Sequence, residues 1–297
     1  MKGKAKKLTS LMLALMMVVG LFSSMPALAT SAAADTTYDN LYASVQGETN
    51  ANATYKAFAA KAYEEGYPEV ARLFLATADA EAKHAADEWA ILVDMGATVR
   101  PVAEVPTVGT TAQNLQAAID GETYEYTIMY PGFVATAEAE GATAARRIFN
   151  FAMRAEQVHA GNYADVLAHL ADAAYLKATY GTVYRCPVCG EVVTDRPSRC
   201  PICGTDGSAF VVYSIVKSIS VDALALTTVV RNQTYKFEVN LNEGAVDDDI
   251  VWTVSNPLYA VVKSDGSITI LNKTGTVALI ATDPFSNLSH SILLRIV

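Results

Sequence analysis

Arg154-Ala155-Glu156-Gln157-Val158-His159 decides how the rest of the chain is read. On a helix, a carboxylate and an imidazole three residues apart leave from one face, so Glu156 and His159 have the spacing of a metal-ligand pair. A single such pair also arises on solvated helix faces. Here Glu81-Ala82-Lys83-His84 repeats it 75 residues earlier, and Gly47-Glu48-Thr49 returns 74 residues later as Gly121-Glu122-Thr123. Gly66 maps onto Gly141, again 75 residues on. Two Glu-x-x-His helices plus one inward Glu from each of two others make a dinuclear carboxylate site in a four-helix bundle. Burying several carboxylates without counter-charge is prohibitive, and two cations supply that charge.

The helical pattern runs from Tyr38 to about Glu65 and stops at Gly66. Pro68 suits the first turn of a second helix that extends to Gly96. The stretch from Gly96 to Thr110 holds two prolines and no helical period, which suits a crossover spanning the bundle. A third helix is expected from about Thr111 to Glu140, kinked at Pro131, and a fourth after Gly141. Tyr55 lies seven residues after Glu48, but Tyr130 lies eight after Glu122, so the third helix holds one extra residue. An inserted residue in a helix fixed at both ends is usually absorbed as a π-bulge, expected here between Glu122 and Tyr130 and adjoining Glu125.

All four cysteines fall in two C-x-x-C knuckles, Cys186-Pro187-Val188-Cys189 and Cys200-Pro201-Ile202-Cys203, a strong tetrathiolate signal. A closed four-cysteine site takes iron or zinc, and outside the cytosol paired disulfides are a further reading. From about Val216 the period becomes alternating. Short runs at 215–221, 235–241, 250–254, 259–262, 267–270, 276–280 and 291–296 predict a seven-stranded sandwich, with Ser264-Asp265-Gly266-Ser267 as a hairpin turn.

With Glu125 as a fifth carboxylate on the Glu122 face, the chain resembles a rubrerythrin from about residue 36 to about residue 214. The resemblance implies a ferritin-like bundle whose two irons are held by Glu48, Glu81, His84, Glu122, Glu125, Glu156 and His159. It also implies that His84 and Glu125 exchange on one iron between oxidation states, and that Tyr55 and Tyr130 line the site. Core packing with a satisfied hydroxyl is the plainer reading of both tyrosines. The knuckles, with Phe210 and Tyr213, resemble rubredoxin, which implies one iron on Cys186, Cys189, Cys200 and Cys203. Glu191 stands where rubredoxins usually carry an aromatic residue, which keeps zinc open. His169 lies about 80° around the helix from His159 and is read, like His290, as structural or surface. The last segment resembles bacterial immunoglobulin-like group 2 domains of envelope proteins, with Trp252 as its expected core anchor.

The chain is thus expected to be multidomain: a signal peptide at 1–34, an all-α ferritin-like four-helix bundle at 36–178, a rubredoxin-like knuckle domain at 182–214 and an all-β immunoglobulin-like sandwich at 216–297. The activity implied is a non-haem di-iron peroxidase reducing hydrogen peroxide, in which Glu125, Tyr55 and Tyr130 take part and the tetrathiolate iron relays electrons from an unidentified donor. A homodimer or higher homo-oligomer is expected, along with cell-wall contact through the last domain. The alternatives are an iron-oxidising or iron-storing protein and a non-enzymatic envelope protein. No nucleophile elbow, Walker sequence or dinucleotide fingerprint is present.

Lys2, Lys4, Lys6 and Lys7 precede an apolar run from Leu11 to Phe22 and then Ala27-Leu28-Ala29, the pattern of a secretory signal. The run is short for a membrane anchor, the competing reading. Residues 1–34 hold four Lys and no acid, so their loss takes the formal net charge from −9 to −13, a balance that disfavours nucleic acid and anionic membranes as partners. Mass spectrometry of the exported protein should find a mature N-terminus near Thr30, or near Asp35 if the Ala32–Ala34 run is cleaved. Met1 still attached would reject export by cleavage.

Overall fold

A computed structural model of the chain describes residues 36–245, 250–284 and 288–297. The expected signal peptide lies outside these residues. Six helices come first: α1 (Thr37–Glu64), α2 (Pro68–Asp94), α3 (Thr111–Tyr124), α4 (Tyr130–Ala139), α5 (Thr143–Ala168) and α6 (Ala173–Tyr180). Between α3 and α4 the backbone winds as a π-helix over Glu125–Met129, where the extra residue was expected. The third helix is therefore not a continuous α-helix to Glu140. The chain passes through the π segment into α4, with Pro131 in the first turn, where a missing N–H is best tolerated. The short helix α6 escaped the sequence reading.

The sequence repeat survives as a structural pseudo-symmetry down to the helix caps. Thr36 and Asp39 form a capping box on α1, and Thr110 with Gln113 forms the same box on α3, satisfying N–H groups that a first turn leaves unpaired. The Thr37 N–H donates to Glu140 Oε2 over 2.9 Å, and the Thr111 N–H donates to Glu65 Oε2 over 2.8 Å. A glutamate at the first helix junction of each half thus holds the start of the other half. Gly66 and Gly141 close the two junctions with φ of +84° and +69°, a conformation that a side chain disfavours.

Apolar residues fill the bundle on both sides of one polar layer. Tyr55, Phe58 and Phe74 belong to one cluster, and their counterparts Tyr130, Phe133 and Phe149 to the other. Rings pack at tilted or edge contacts in both, with centroids 5.5 Å apart for Phe58–Phe74 and for Phe133–Phe149.

Beyond α6, strands β1 (Thr182–Arg185), β2 (Val192–Val193) and β3 (Val211–Ser214) form a small antiparallel sheet in the order β2-β1-β3. It rests on α2 through Tyr213, whose hydroxyl donates to Asp79 Oδ2 over 2.6 Å.

The C-terminal region holds β4 (Ile219–Val221), β5 (Leu226–Val229), β6 (Thr234–Lys236), β7 (Val239–Leu241), β8 (Val251–Val254), β9 (Ala260–Val262), β10 (Ser267–Ile270), β11 (Gly275–Thr282) and β12 (Ser289–Ile296). Sheets of order β6-β10-β9 and β5-β12-β11-β8 share one apolar core, in which Ile268 and Ile270 meet Leu279 and Leu294. The run 235–241, expected as one strand, breaks at Phe237 and Glu238: β6 pairs with β10, whereas β7 pairs with β4. Strand β5, parallel to β12, was not foreseen, because Leu226 faces solvent and masks the alternation. Trp252 is no core anchor; it is partly buried against the core, beside the β9–β10 hairpin turn at Gly266. Among the described residues no helix is long and apolar enough to cross a membrane.

The π segment has a direct test. Deleting Thr127 restores the seven-residue spacing of Glu48 and Tyr55 to the other half, so helical circular dichroism should be unchanged while the Glu125 stance is lost. A drop of more than about one tenth in helical signal would show that the bundle needs the extra residue.

Candidate metal centres

The polar layer holds six side chains brought in from four helices: Glu48 from α1, Glu81 and His84 from α2, Glu122 from α3, and Glu156 and His159 from α5. All are buried. Their donor atoms fall into two overlapping groups, Glu48–Glu81–His84–Glu156 and Glu81–Glu122–Glu156–His159, each with all atoms within 4.8 Å of one another. Glu81 and Glu156 belong to both groups, the arrangement expected of carboxylates that bridge two ions.

The imidazoles are held in one orientation. His84 Nε2 lies 3.0 Å from the Cys189 carbonyl and His159 Nε2 lies 3.2 Å from the Gly190 carbonyl. A carbonyl only accepts, so both Nε2 atoms carry a proton, and both Nδ1 atoms are turned toward the carboxylates, where a metal ion would replace any proton they hold. His84 Nδ1 sits 3.0 Å from Glu81 Oε2 and 3.0 Å from Glu156 Oε1, and His159 Nδ1 sits 2.7 Å from Glu156 Oε2. Hydrogen-bonding the remote ring nitrogen of a ligating histidine is the usual way a protein fixes ring orientation.

Two tyrosines close the layer, one from each half. Tyr55 Oη donates to Glu122 Oε1 over 2.6 Å, and Tyr130 Oη donates to Glu48 Oε1. Both are therefore core residues and site residues. Glu125 belongs to neither donor group. It sits half-buried on the π segment, and burial followed by the charges of Glu48, Glu122, Glu156 and Glu81 raises its pKa well above the usual carboxylate range.

The donor set fits two cations. Glu48 Oε2, Glu81 Oε1, Glu122 Oε2, both Glu156 oxygens and His159 Nδ1 are buried without a hydrogen-bond partner. Orphaned polar atoms of this kind cost free energy unless something inside the layer satisfies them. Hard carboxylate oxygens with imidazole nitrogens suit iron.

The second centre lies against the first. Cys186, Cys189, Cys200 and Cys203 place four Sγ atoms within 4.8 Å of one another, and all four cysteines are free, which removes the disulfide reading. Hydrogen bonding from Cys189 pulls Cys186 down to about 4, and burial pushes Cys200 up to about 12. Arg154, which opens the stretch first read, donates to the Pro201 and Ile202 carbonyls over 3.0 and 3.1 Å. Gly190 has φ +80°, and a Cβ there would lie 2.3 Å from His84 Nε2. Only glycine lets the first knuckle approach both imidazoles.

Two acids went unsingled in the sequence reading as site members. Glu88 is buried beside Tyr130, and Glu191, noted only as a departure, is buried with its carboxyl 3.1 Å from Cys200 Sγ. Seven residues separate Glu88 from Glu81, two helical turns, so spacing alone held the signal for the first. His169 hydrogen-bonds the Asp165 carbonyl, and His290 accepts from the Val221 N–H, as structural residues.

Without metal, burial followed by the Glu81 charge pushes Glu48 up to about 7. Burial first, then Glu81, likewise raises Glu122. His84 and His159 are raised because the surrounding carboxylates outweigh a burial effect that alone would lower them. Glu156 runs the other way, since the two imidazoles outweigh its burial. Groups with raised folded pKa stabilise the fold below their unfolded values, and that contribution is lost as pH rises through the folded ones. The metal-free protein should therefore lose thermal stability between about pH 5 and pH 8, with Glu156 opposing only in part. Iron affinity should rise over the same window, because metal replaces protons on these ligands. Calorimetry of the chelated protein giving a higher Tm at pH 8 than at pH 5 would contradict this.

A family profile described as Rubrerythrin matches residues 39–167, and one described as a heavy metal binding domain matches residues 183–206. Nigerythrin from Nitratidesulfovibrio vulgaris is 38% identical over 165 residues, 54% of this chain and 77% of its own length. A rubrerythrin from Porphyromonas gingivalis is 35% identical over 162 residues, 54% of this chain and 80% of its own length. A solved structure of fully reduced, all-ferrous nigerythrin superposes with a TM-score of 0.57 at 35% identity, covering 62% of this chain and 89% of that one. The matched region contains every donor of both centres; with its di-iron layer and its four-cysteine knuckle pair, the chain belongs to the rubrerythrin family.

Proposed function

We propose that this protein is an exported non-haem di-iron peroxidase that reduces hydrogen peroxide to water, with electrons delivered through an iron on the four cysteines. The observation that carries the reading is the contact of both ligand imidazoles with the first knuckle, His84 with Cys189 and His159 with Gly190. A tetrathiolate centre bonded through its own backbone to the histidines of a di-iron layer makes sense as a one-electron relay. A storage protein needs no such contact.

The overall change is H2O2 + 2 H+ + 2 e− → 2 H2O, in which the O–O bond breaks and each oxygen ends as water. When bound, the iron pair supplies the two electrons to that bond, while its hard carboxylate ligands favour the oxidised ions. Tyr55 and Tyr130 hold Glu122 and Glu48 by hydrogen bonds and so fix the carboxylate at each end. Glu125, half-buried on the π segment, would supply a further carboxylate to the iron pair in its oxidised form. The apolar clusters above and below exclude bulk water.

The C-terminal β region reads as an immunoglobulin-like domain that keeps the enzyme in the cell envelope. Its support is a pair of sheets around one core together with the signal pattern at 1–34. A homodimer is the expected assembly, and oxidative-stress defence the expected role.

Two variants separate the half-reactions. Glu125→Ala should keep both irons, because six donors stay in place, but should lose most of its peroxide turnover, by about 10-fold or more. Cys200→Ser, reduced beforehand, should consume one equivalent of peroxide at the normal rate and then stop. Normal multiple turnover by Cys200→Ser with a rubredoxin-specific reductant would remove the relay. Fast reaction of the reduced wild type with dioxygen but not with peroxide would replace the peroxidase by an iron oxidase.

A further inference from the structure

Peroxide reduction consumes two protons per turnover in a layer closed to solvent, and the residues assigned so far give no route for them. Glu88 does. It lies on α2 one turn beyond His84, is 1% exposed, and belongs to neither donor group. Its Oε1 lies 3.2 Å from Tyr130 Oη, and its Oε2 has no hydrogen-bond partner.

Hydrogen-bond counting places a shared proton on the Glu48–Tyr130–Glu88 chain. Tyr130 Oη is within reach of Ser44 Oγ at 3.1 Å, Glu48 Oε1 and Glu88 Oε1. A phenol has one proton to give. Tyr130 can donate to Glu48 or to Glu88 but not to both at once, so holding both bonds requires one of the two acids to carry a proton and donate it to the phenol oxygen. Burial and the Glu48 charge act in the same sense, raising the Glu88 pKa well above the carboxylate range, although Ser44, His84 and Tyr130 offset part of the rise.

The outer end is also built. Glu88 lines a cavity of about 10 Å³, together with His84, Asp87, Phe151 and Val188. That is about the volume one water requires. Asp87 is 36% exposed and paired to Lys83, so it reaches solvent on the other side. Helix α5 contributes only Ile148, Phe151 and Ala152 to the cavity, and the knuckle adds Val188 and Cys189, so no other acid competes for the position.

We infer that Glu88 is the proton-relay residue of this site, passing a proton through the Tyr130 hydroxyl to the Glu48 end of the iron pair and regaining one from the Asp87 side through a single water. This inference rests on the peroxidase reading. Each passage moves one proton inward with no net change at Tyr130; two passages supply the two O–H bonds that form as O–O breaks, and the electrons come separately through the knuckle. Glu88 does not touch the reacting atoms, so it positions and delivers rather than catalyses directly.

The test uses full-length, iron-loaded protein reduced before mixing with hydrogen peroxide. Glu88→Gln keeps size and hydrogen bonding but cannot relay. It should retain two irons in the layer, slow single-turnover peroxide consumption by about 10²-fold, the scale of a lost proton-transfer group, and change the solvent deuterium isotope effect. Glu88→Asp should recover part of the rate, which a purely packing role would not predict. Independently of activity, the infrared spectrum of the metal-free protein should lose a deuterium-sensitive protonated-carboxyl band in Glu88→Gln. A wild-type rate and isotope effect in Glu88→Gln would overturn the relay, and loss of iron in that variant would overturn it by making Glu88 a ligand. Wild-type protein that holds two irons but consumes no peroxide would overturn the peroxidase reading itself, a failure visible before any variant is made.

Discussion

Everything in the helical half depends on the electrostatic cost of one layer. Four buried carboxylates and two imidazoles face one another with polar atoms that nothing in the protein satisfies. Protons settle part of that cost in the metal-free chain, which is why Glu48 and Glu122 hold theirs far above the usual range. Two cations settle it better, and the shared positions of Glu81 and Glu156 give each cation a common wall. The apolar clusters on either side confine the cost to this layer and keep the local dielectric low, so the charges are felt strongly.

The knuckle domain packs on the bundle through Val183, Val192 and Tyr213, and two backbone contacts tie it to this layer. Two backbone carbonyls, from Cys189 and Gly190, fix two ring orientations, and a glycine with positive φ makes the approach sterically feasible. The same contacts that orient the rings bring the two centres together. A side chain at Gly190 would disturb both. Arg154 holds the second knuckle to α5, so the helix that carries Glu156 and His159 also carries an anchor for the four-cysteine centre.

Departure from pseudo-symmetry falls where the two halves need different chemistry. Caps, junction glycines, aromatic rings and both site tyrosines repeat across the halves. What does not repeat is the π segment with Glu125 on one side and the Glu88–Tyr130 contact on the same side. Tyr55, the counterpart of Tyr130, donates to Glu122 without a second acid bonded to its hydroxyl. The Glu48 end of the layer therefore has a second acid bonded to its tyrosine, and the Glu122 end does not.

Most of the site was legible in the sequence because helical spacing is rigid: residues three or seven apart share a face whatever surrounds them, and the 75-residue repeat tied the two faces together. Even the π segment followed from a one-residue mismatch between Tyr55 and Tyr130. The β region was less legible, since a strand's sheet is chosen by distant partners. The run 235–241 looked continuous but divides between two sheets, and β5 hides its alternation behind an exposed Leu226. Sequence by itself determined the bundle, its ligands and the set of four cysteines. Only the tertiary structure decided that the knuckle carbonyls bond the imidazoles, that Trp252 sits at the edge of its core, and that Glu88 reaches Tyr130, because each depends on segments far apart in the chain meeting within hydrogen-bond or van der Waals distance.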